Sequence, residues 1–209
     1  MANYTKPDFW TLKARKEGYP ARSVYKLKEL DEKFGLLSGN CSKAASLPFR
    51  VLDLGAAPGS WSLYVLRTLG NRAFLAAADI GPLSSRYGGG LFDRDNFFFI
   101  QGDITAADTR AALLSRGPYR LLLSDLAPAT TGVRQVDSLR SLSLAEAALD
   151  YARDALGQGG NMAVKVFQGG DSVSVLKRIR ELFKTGKSFK PNACRQESFE
   201  TYYIGIDKK

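Results

Sequence analysis

The sequence of 209 residues has no histidine and only two cysteines, Cys41 and Cys194. Without histidine the chain cannot build a His-ligated zinc site, a Ser-His-Asp triad or imidazole acid–base catalysis. We expect no metal centre. Two distant cysteines in a chain without an export signal predict free cytosolic thiols rather than a disulfide framework.

Long apolar runs are also missing from the sequence. No run approaches the roughly 18–20 residues that span a membrane, and the N-terminus has no apolar core of a secretory signal. We therefore expect a cytoplasmic protein that does not enter a membrane, with a mature organellar form left open. Hydrophobic residues make up 44% and charged residues 24% of the chain, which favours a folded globular protein over a disordered or coiled-coil one.

Positive charge, in contrast, is abundant and unevenly placed. The formal net charge is +9. Residues 1–28 contain seven Lys or Arg and two acidic residues, and residues 176–195 contain seven and one. A basic surface built from both ends of the chain favours a polyanionic partner such as nucleic acid. The alternative is a solvated basic surface that only keeps the protein soluble.

Short apolar runs alternate with amphipathic stretches, which predicts an α/β fold with a mainly parallel, twisted sheet and helices on both faces. The predicted strands are Phe49–Leu54, Ala73–Asp79, Phe97–Gln101, Arg120–Ser124, Asn161–Val166 and Thr201–Ile206. The predicted helices are Arg22–Phe34, Trp61–Leu69, Thr105–Ser115, Ser138–Ala155 and Val173–Leu182.

The chain shows no internal repeat and no low-complexity linker, so a single domain is expected. Residues 1–48 form a basic helical extension that ends in a long loop over 35–48, and residues 49–209 form the α/β body. Gly159-Gly160 is expected to stop the helix that precedes it.

A glycine-bearing turn follows the first strand of the body, in the run Asp53-Leu54-Gly55-Ala56-Ala57-Pro58-Gly59-Ser60-Trp61-Ser62. Small residues let backbone amides approach a ligand, and the start of the next helix favours a carboxylate or phosphate. In doubly wound sheets, ligands bind beyond the carboxyl ends of the strands. The run matches neither GxGxxG nor GxxxxGK(S/T), which disfavours dinucleotide and Walker-type sites. A purely structural glycine turn is the alternative.

Acidic residues also end the next two strands. Asp79 closes the second strand and is suited to the two hydroxyls of a ribose, and Asp103 follows the third and is suited to an exocyclic base amine. Each alone is open to interpretation as a turn or N-cap acid. Together with Asp53 they place three carboxylates at one edge of the sheet, which favours an adenosine-type pocket.

Asp125 and Lys165 form a second candidate group. Asp125 follows an apolar strand in Ser124-Asp125-Leu126-Ala127-Pro128, and Lys165 lies within the apolar strand Ala163-Val164-Lys165-Val166-Phe167. A lysine in such a strand is costly to desolvate unless it is paired or functional. It can move a proton or stabilise an alkoxide, and a structural salt bridge with Asp125 is the alternative.

These motifs together resemble the FtsJ/RrmJ family of S-adenosylmethionine-dependent RNA ribose 2′-O-methyltransferases. The resemblance extends from about residue 8 to residue 206, in family order. It rests on residues 53–61, 124–128 and 164–169, on Arg15–Tyr19 with Arg22–Leu27, and on Lys190-Pro191, Arg195, Ser198 and Glu200-Thr201-Tyr202.

The resemblance implies a Rossmann-like class I methyltransferase fold and assigns roles to individual residues. Its catalytic Lys-Asp-Lys-Glu tetrad falls on Lys26, Asp125, Lys165 and Glu200, with Lys165 beside the reacting hydroxyl as either a neutral base or a charged stabiliser. Lys26 is also open to interpretation as another basic residue of an RNA-facing helix. The residues implied to line the S-adenosylmethionine pocket are Gly59, Trp61, Asp79, Asp103 and Asp125.

The implied substrate is a uridine in the A-loop of large-subunit ribosomal RNA, presented on an assembled or nearly assembled subunit to a monomeric enzyme. A tRNA anticodon-loop or mRNA-cap 2′-O-methyltransferase and a non-catalytic RNA-binding ribosome-assembly factor are the alternatives. The sequence departs from the family pattern at Ser60, where glycine is common, at Ala129, and at Cys194, where serine is common. These departures bear on the substrate more than on the reaction.

Overall fold

The computed structural model describes residues 7–37, 48–169, 172–195 and 197–209. Its helices are α1 (Phe9–Lys16), α2 (Val24–Phe34), α3 (Ser60–Leu69), α4 (Ala107–Leu114), α5 (Arg134–Ala155) and α6 (Ser172–Leu182). Its strands are β1 (Phe49–Leu54), β2 (Ala73–Asp79), β3 (Phe97–Gln101), β4 (Tyr119–Ser124), β5 (Leu156–Phe167), β6 (Phe183–Phe189) and β7 (Glu200–Lys208). No helix within these described ranges is long and apolar enough to cross a membrane.

The seven strands form one sheet in the order β3-β2-β1-β4-β5-β7-β6. Strands β1 to β5 pair in parallel, and β7 runs antiparallel between β5 and β6. The strand order reverses between β1 and β4, and ligands of doubly wound sheets bind in the crevice at such a point. Because β7 is antiparallel, its first residue, Glu200, lies at the same edge as the carboxyl ends of β4 and β5.

Helices cover both faces of the sheet, because successive strand side chains point to opposite sides. Leu52 and Leu54 of β1 pack in a core with residues of α4, α5 and α6. Val51 packs on the other face with residues of α2 and α3. The predicted α/β architecture, with a mainly parallel sheet between two helical layers, is confirmed.

The structure differs from the sequence-based prediction at several elements. Helix α1 was not predicted as a separate helix, and α5 and β5 begin four and five residues earlier than predicted. Strand β6 was not predicted, because it lies at the edge of the sheet and six of its seven residues are half-buried or exposed and mostly polar. Gly159-Gly160 does not end α5, which stops at Ala155. The two glycines lie inside β5, where Gly159 has a φ of 75° and the register with β4 shifts between Tyr119 and Leu121.

The N-terminal helices pack against the α/β body. The Trp61 indole of α3 donates to the carbonyl of Ser23 at 2.8 Å, just before α2. The Glu29 carboxylate of α2 accepts from the backbone N–H groups of Asn192 and Ala193 at 2.7 and 2.8 Å. These contacts place α2 beside the segment that leads into β7. The predicted loop over 35–48 lies mostly outside the described residues, as does Cys41, and Cys194 is a buried thiol.

Candidate active site

Asp125 and Lys165 form a buried ion pair at the carboxyl edge of the sheet. The Lys165 ammonium nitrogen lies 3.0 Å from Asp125 Oδ1 and 2.5 Å from the Asp125 carbonyl oxygen. Their side chains are only 6% and 15% exposed. Asp125 follows the last residue of β4 and Lys165 lies near the end of the neighbouring β5, so parallel pairing brings them together.

Lys26 and Glu200 form a second pair at the same edge. Lys26 projects from the first turn of α2, and its Nζ lies 2.8 Å from Glu200 Oε2. Glu200 is the first residue of β7 and is in register with Phe167, two residues beyond Lys165 in β5. The four residues singled out by the resemblance, which are separated by up to 174 positions in the sequence, are therefore brought together in two ion pairs.

The two pairs interact electrostatically. Burial alone would raise the pKa of Asp125, but Lys165, Lys26 and the Tyr202 hydroxyl outweigh burial and hold that pKa below its usual value. Burial would lower the pKa of Lys26, but Asp125 and Glu200 hold it above the usual lysine value. At neutral pH, Asp125 is therefore a carboxylate and Lys26 an ammonium.

Tyr202, which the sequence analysis counted among the motif residues without giving it a role, is also a member of the site. Its hydroxyl donates to Asp125 Oδ1 at 2.6 Å, the same oxygen that faces Lys165. Burial, together with Asp125, raises the pKa of Tyr202 well above its usual value, so the phenol stays a donor. The available signal was spacing: residues two apart in a strand share a face, so Tyr202 points to the same side of β7 as Glu200.

The turn between β1 and α3 has no room for side chains at two of its glycines. Gly55 has a φ of 83°, and a Cβ there would lie 2.9 Å from the Leu126 backbone nitrogen. Gly59 has a φ of 109°, and its Cβ would lie 2.7 Å from the Phe92 ring. Only glycine adopts such positive φ angles readily. Glycine at both positions therefore lets Leu126 and Phe92 pack closely on the turn, which leads into the N-terminus of α3, an end that favours a small anionic group.

Asp53 lies directly beneath this turn and is fully buried. Ser62 donates to its Oδ2 at 2.7 Å, and its Oδ1 has no hydrogen-bond partner among the described residues. Burial, only partly offset by the Ser62 hydrogen bond and reinforced by the charges of Asp125 and Asp79, raises the pKa of Asp53 to about 7.

The raised pKa of Asp53 predicts a specific pH dependence of stability. The unfolded chain releases this proton near pH 4 and the folded chain near pH 7, so the wild type loses stability between these values, by about 1.4 kcal/mol per pH unit at most. Asp53→Asn removes that loss. In urea unfolding of the unliganded protein, the variant should gain stability relative to the wild type from pH 4 to pH 7 and no more above pH 7. A difference that does not change with pH would contradict the assignment.

Asp79 and Asp103 lie at the ends of β2 and β3, as predicted, but both also shape their own turns. The Asp79 carboxylate accepts from the N–H groups of Ala57 and Gly81 at 2.9 and 2.8 Å, which ties it to the glycine turn. Asp103 is exposed, and its Oδ1 accepts both the N–H and the hydroxyl of Thr105. Ile80, which the sequence analysis did not select, follows Asp79 and is 77% exposed.

The structure does not place the predicted pocket residue Trp61 on a pocket wall. Trp61 is 2% exposed and packs in the core between α2, α3 and the sheet, with Tyr202 5.8 Å away between ring centroids. As an apolar residue in the first turn of α3, it faces the sheet rather than the open edge. Ser60, the departure from glycine, uses its hydroxyl to accept from Ala21 N–H at 2.8 Å.

A cleft of about 540 Å³ opens beside Lys26 and Glu200. Its basic lining comes from both ends and the middle of the chain: Arg22, Lys26, Arg134 and Arg195. The basic segment 176–195 is less uniform than its composition suggested, since Arg178 pairs with Glu146 and Lys184 with Asp207 away from the cleft. The predicted basic surface is thus concentrated at the cleft by a few arginines.

Comparisons with known proteins show what the chain is similar to. A model of the FtsJ-like methyltransferase family matches residues 19–208. A Treponema denticola protein named Ribosomal RNA large subunit methyltransferase E is 49% identical over 207 residues, which cover 99% of this chain and 97% of the relative. A Borreliella afzelii protein of the same name is 44% identical over 199 residues, 95% of this chain and 96% of the relative. The crystal structure of a Plasmodium falciparum protein described as a ribosomal RNA methyltransferase superposes with a TM-score of 0.72 at 24% identity, covering 91% of this chain and 98% of that one.

Proposed function

Because this chain belongs to the FtsJ-like methyltransferase family, we propose that it methylates a ribose 2′-hydroxyl in large-subunit ribosomal RNA. The observation that carries the proposal is the pair of Lys165 with Asp125 beside the pair of Lys26 with Glu200, at the sheet edge where a basic cleft opens. The target we propose is a uridine in the A-loop, reached by a monomer acting on the nearly complete subunit in the cytoplasm.

S-adenosylmethionine is the methyl donor, and the residues at the carboxyl ends of β1 and β2 fit it. The Asp79 carboxylate accepts a hydrogen bond from the Ala57 N–H of the glycine turn, and the buried Oδ1 of Asp53 has no partner among the described residues. We propose that the N-terminus of α3, which follows this turn, holds the donor's carboxylate. Asp79 then accepts its ribose hydroxyls and Asp103 faces the base amine, with exposed Ile80 against the base. When bound, the cofactor supplies an electrophilic methyl group on sulfur.

The four charged residues prepare the hydroxyl for attack. Methyl transfer would require the ribose hydroxyl to lose its proton, and Lys165 is placed to accept that proton or to stabilise the oxygen as the proton passes to solvent. Lys165 Nζ donates to the Asp125 carbonyl and carboxylate, which leaves one position on the nitrogen for the ribose oxygen. An ammonium would stabilise the developing negative charge there, and a neutral amine would accept the proton. Asp125 and Tyr202 orient this nitrogen, and the Lys26–Glu200 pair lies on the other side of Asp125.

The N-terminal helices belong to the same catalytic unit in this proposal. Lys26 of α2 completes the tetrad, and the backbone bonds from Asn192 and Ala193 to Glu29 fix α2 against the segment that carries Arg195. A cleft wall would be lost without residues from α2, so we propose one functional unit over the whole chain.

Transfer of labelled methyl groups to purified substrates tests the proposed function. Large ribosomal subunits, free large-subunit RNA and tRNA are incubated with labelled S-adenosylmethionine, and the product is mapped by resistance to alkaline cleavage, which needs a free 2′-hydroxyl. We expect label at one alkali-resistant uridine of the subunit. Label only in tRNA would overturn the substrate but keep the chemistry. No label in any RNA, despite measurable cofactor binding, would favour a non-catalytic assembly factor.

A further inference from the structure

Phe199 and Arg134 form an aromatic–cationic pair on the wall of the cleft. The Arg134 guanidinium lies 5.2 Å from the centroid of the Phe199 ring. The Phe199 ring in turn packs edge-to-face on Phe167, with centroids 4.8 Å apart. All three line the cleft together with Glu200, and Phe199 directly precedes Glu200 in the chain.

The backbone on both sides of this pair is held in place. The Phe199 carbonyl accepts from the Gln168 N–H at 2.7 Å, which extends the pairing of β5 with β7 by one step. On the other side, buried Asp137 accepts from the N–H and hydroxyl of Thr131 at 2.8 Å and from the N–H of Gly132 at 3.2 Å. The loop that leads into Arg134 is therefore fixed, and a ligand would meet a surface that is already ordered.

Arg134 has no ion-pair partner among the described residues, although it is exposed and charged. It is also the first residue of the 22-residue helix α5. A cation at a helix N-terminus is unfavourable, because the helix dipole is positive there. Arg134 is therefore a cation that forms no ion pair with a described residue, and it lies beside the half-buried Phe199 ring.

We propose that Phe199 and Arg134 bind a nucleobase of the substrate RNA by stacking, with the Arg134 guanidinium also contacting a flanking phosphate. RNA-binding proteins recognise unpaired bases by stacking them on aromatic rings and on arginine planes, and a guanidinium also matches phosphate geometry. The position next to Glu200 places the stacked base close to the ribose that Lys165 addresses. This inference rests on the proposed function and adds a base-binding element to it.

Kinetic comparison of variants at this position tests the inference. Phe199→Leu keeps an apolar side chain but removes the aromatic face. We expect its KM for the RNA substrate to rise about five- to 150-fold, since stacking contributes about 1–3 kcal/mol per base. Its affinity for S-adenosylmethionine, measured by calorimetry, should stay unchanged, and Phe199→Tyr should restore the wild-type KM. Arg134→Gln should reduce the slope of RNA affinity against salt by about 0.7, the value for one phosphate contact to a single strand.

A matched control is the other arginine–phenylalanine pair formed by Arg50 and Phe74 on β1 and β2. Its separation of 4.9 Å is similar, but it does not line the cleft. Phe74→Leu should leave the KM for RNA unchanged. An unchanged KM in Phe199→Leu would overturn the inference. The proposed function would still stand if the wild type methylates the RNA.

Discussion

Replacing Lys165 by methionine is expected to abolish methyl transfer while leaving the protein folded and able to bind S-adenosylmethionine. Groups that move or stabilise a proton in the transition state contribute about 10²- to 10⁴-fold to the rate, and Lys165 is placed to be that group. We therefore expect turnover of labelled methyl to fall by about 10²- to 10⁴-fold.

The surroundings of Lys165 explain why this variant should fold. Without the lysine, Asp125 still accepts the Tyr202 hydroxyl at 2.6 Å and remains in the field of Lys26. Methionine fills most of the volume of the lysine stem without adding a polar group. Calorimetric titration with S-adenosylmethionine should therefore give the wild-type affinity, which separates a chemical defect from a structural one.

Lys187→Met provides the control for removal of a positive charge. Lys187 is exposed on the edge strand β6, so this variant should retain full turnover. If the Lys165 variant also kept full turnover, the assignment of the tetrad would be wrong. If it lost cofactor binding as well, Lys165 would belong to the cofactor pocket rather than to the reacting hydroxyl.

The strand ends were the part of the site that could be predicted from the sequence. Parallel strands bring their carboxyl ends to one edge, so Asp53, Asp79 and Asp103 were expected at one edge of the sheet before any side-chain position was known. Lys165 stood out because charge is rare in an apolar strand. In each case a local pattern was enough, because the topology of the sheet converts position along a strand into position in space.

The parts that were missed depend on tertiary contacts. The Trp61 side chain is buried in the core with Ser23 as its hydrogen-bond partner, which the sequence did not indicate, and its place in the cofactor pocket stays a prediction. Strand β6 has weak apolar alternation, and only its pairing with β7 makes it a strand. Gly159-Gly160 is typical of a helix end, but in the structure it lies in β5 near the register shift between β4 and β5. The identities of Lys26 and Glu200 as partners came only from the family resemblance.

Loss of Asp125 is expected to be more damaging to stability than loss of Lys165. Asp125→Ala leaves the buried Lys165 charge without its carboxylate and the Tyr202 hydroxyl without its acceptor. Removing one partner of a buried ion pair costs about 3–5 kcal/mol of unfolding free energy. Urea unfolding at pH 7 should show a loss of this size, whereas the exposed Asp95→Ala should be near neutral.

The double variant Asp125→Ala, Lys165→Met should recover part of this loss, because it removes the uncompensated charge together with its former partner. We expect it to be more stable than Asp125→Ala by at least about 1 kcal/mol.

The pH dependence of stability gives an independent check. The lowered pKa of Asp125 means that its contribution is present above about pH 4, its unfolded value, and is lost as the pH falls through the folded value. The gap between wild type and Asp125→Ala should therefore narrow in acid. A double variant no more stable than Asp125→Ala would contradict the predicted recovery of stability. It would show that the Asp125 carboxylate does not stabilise the buried Lys165 charge.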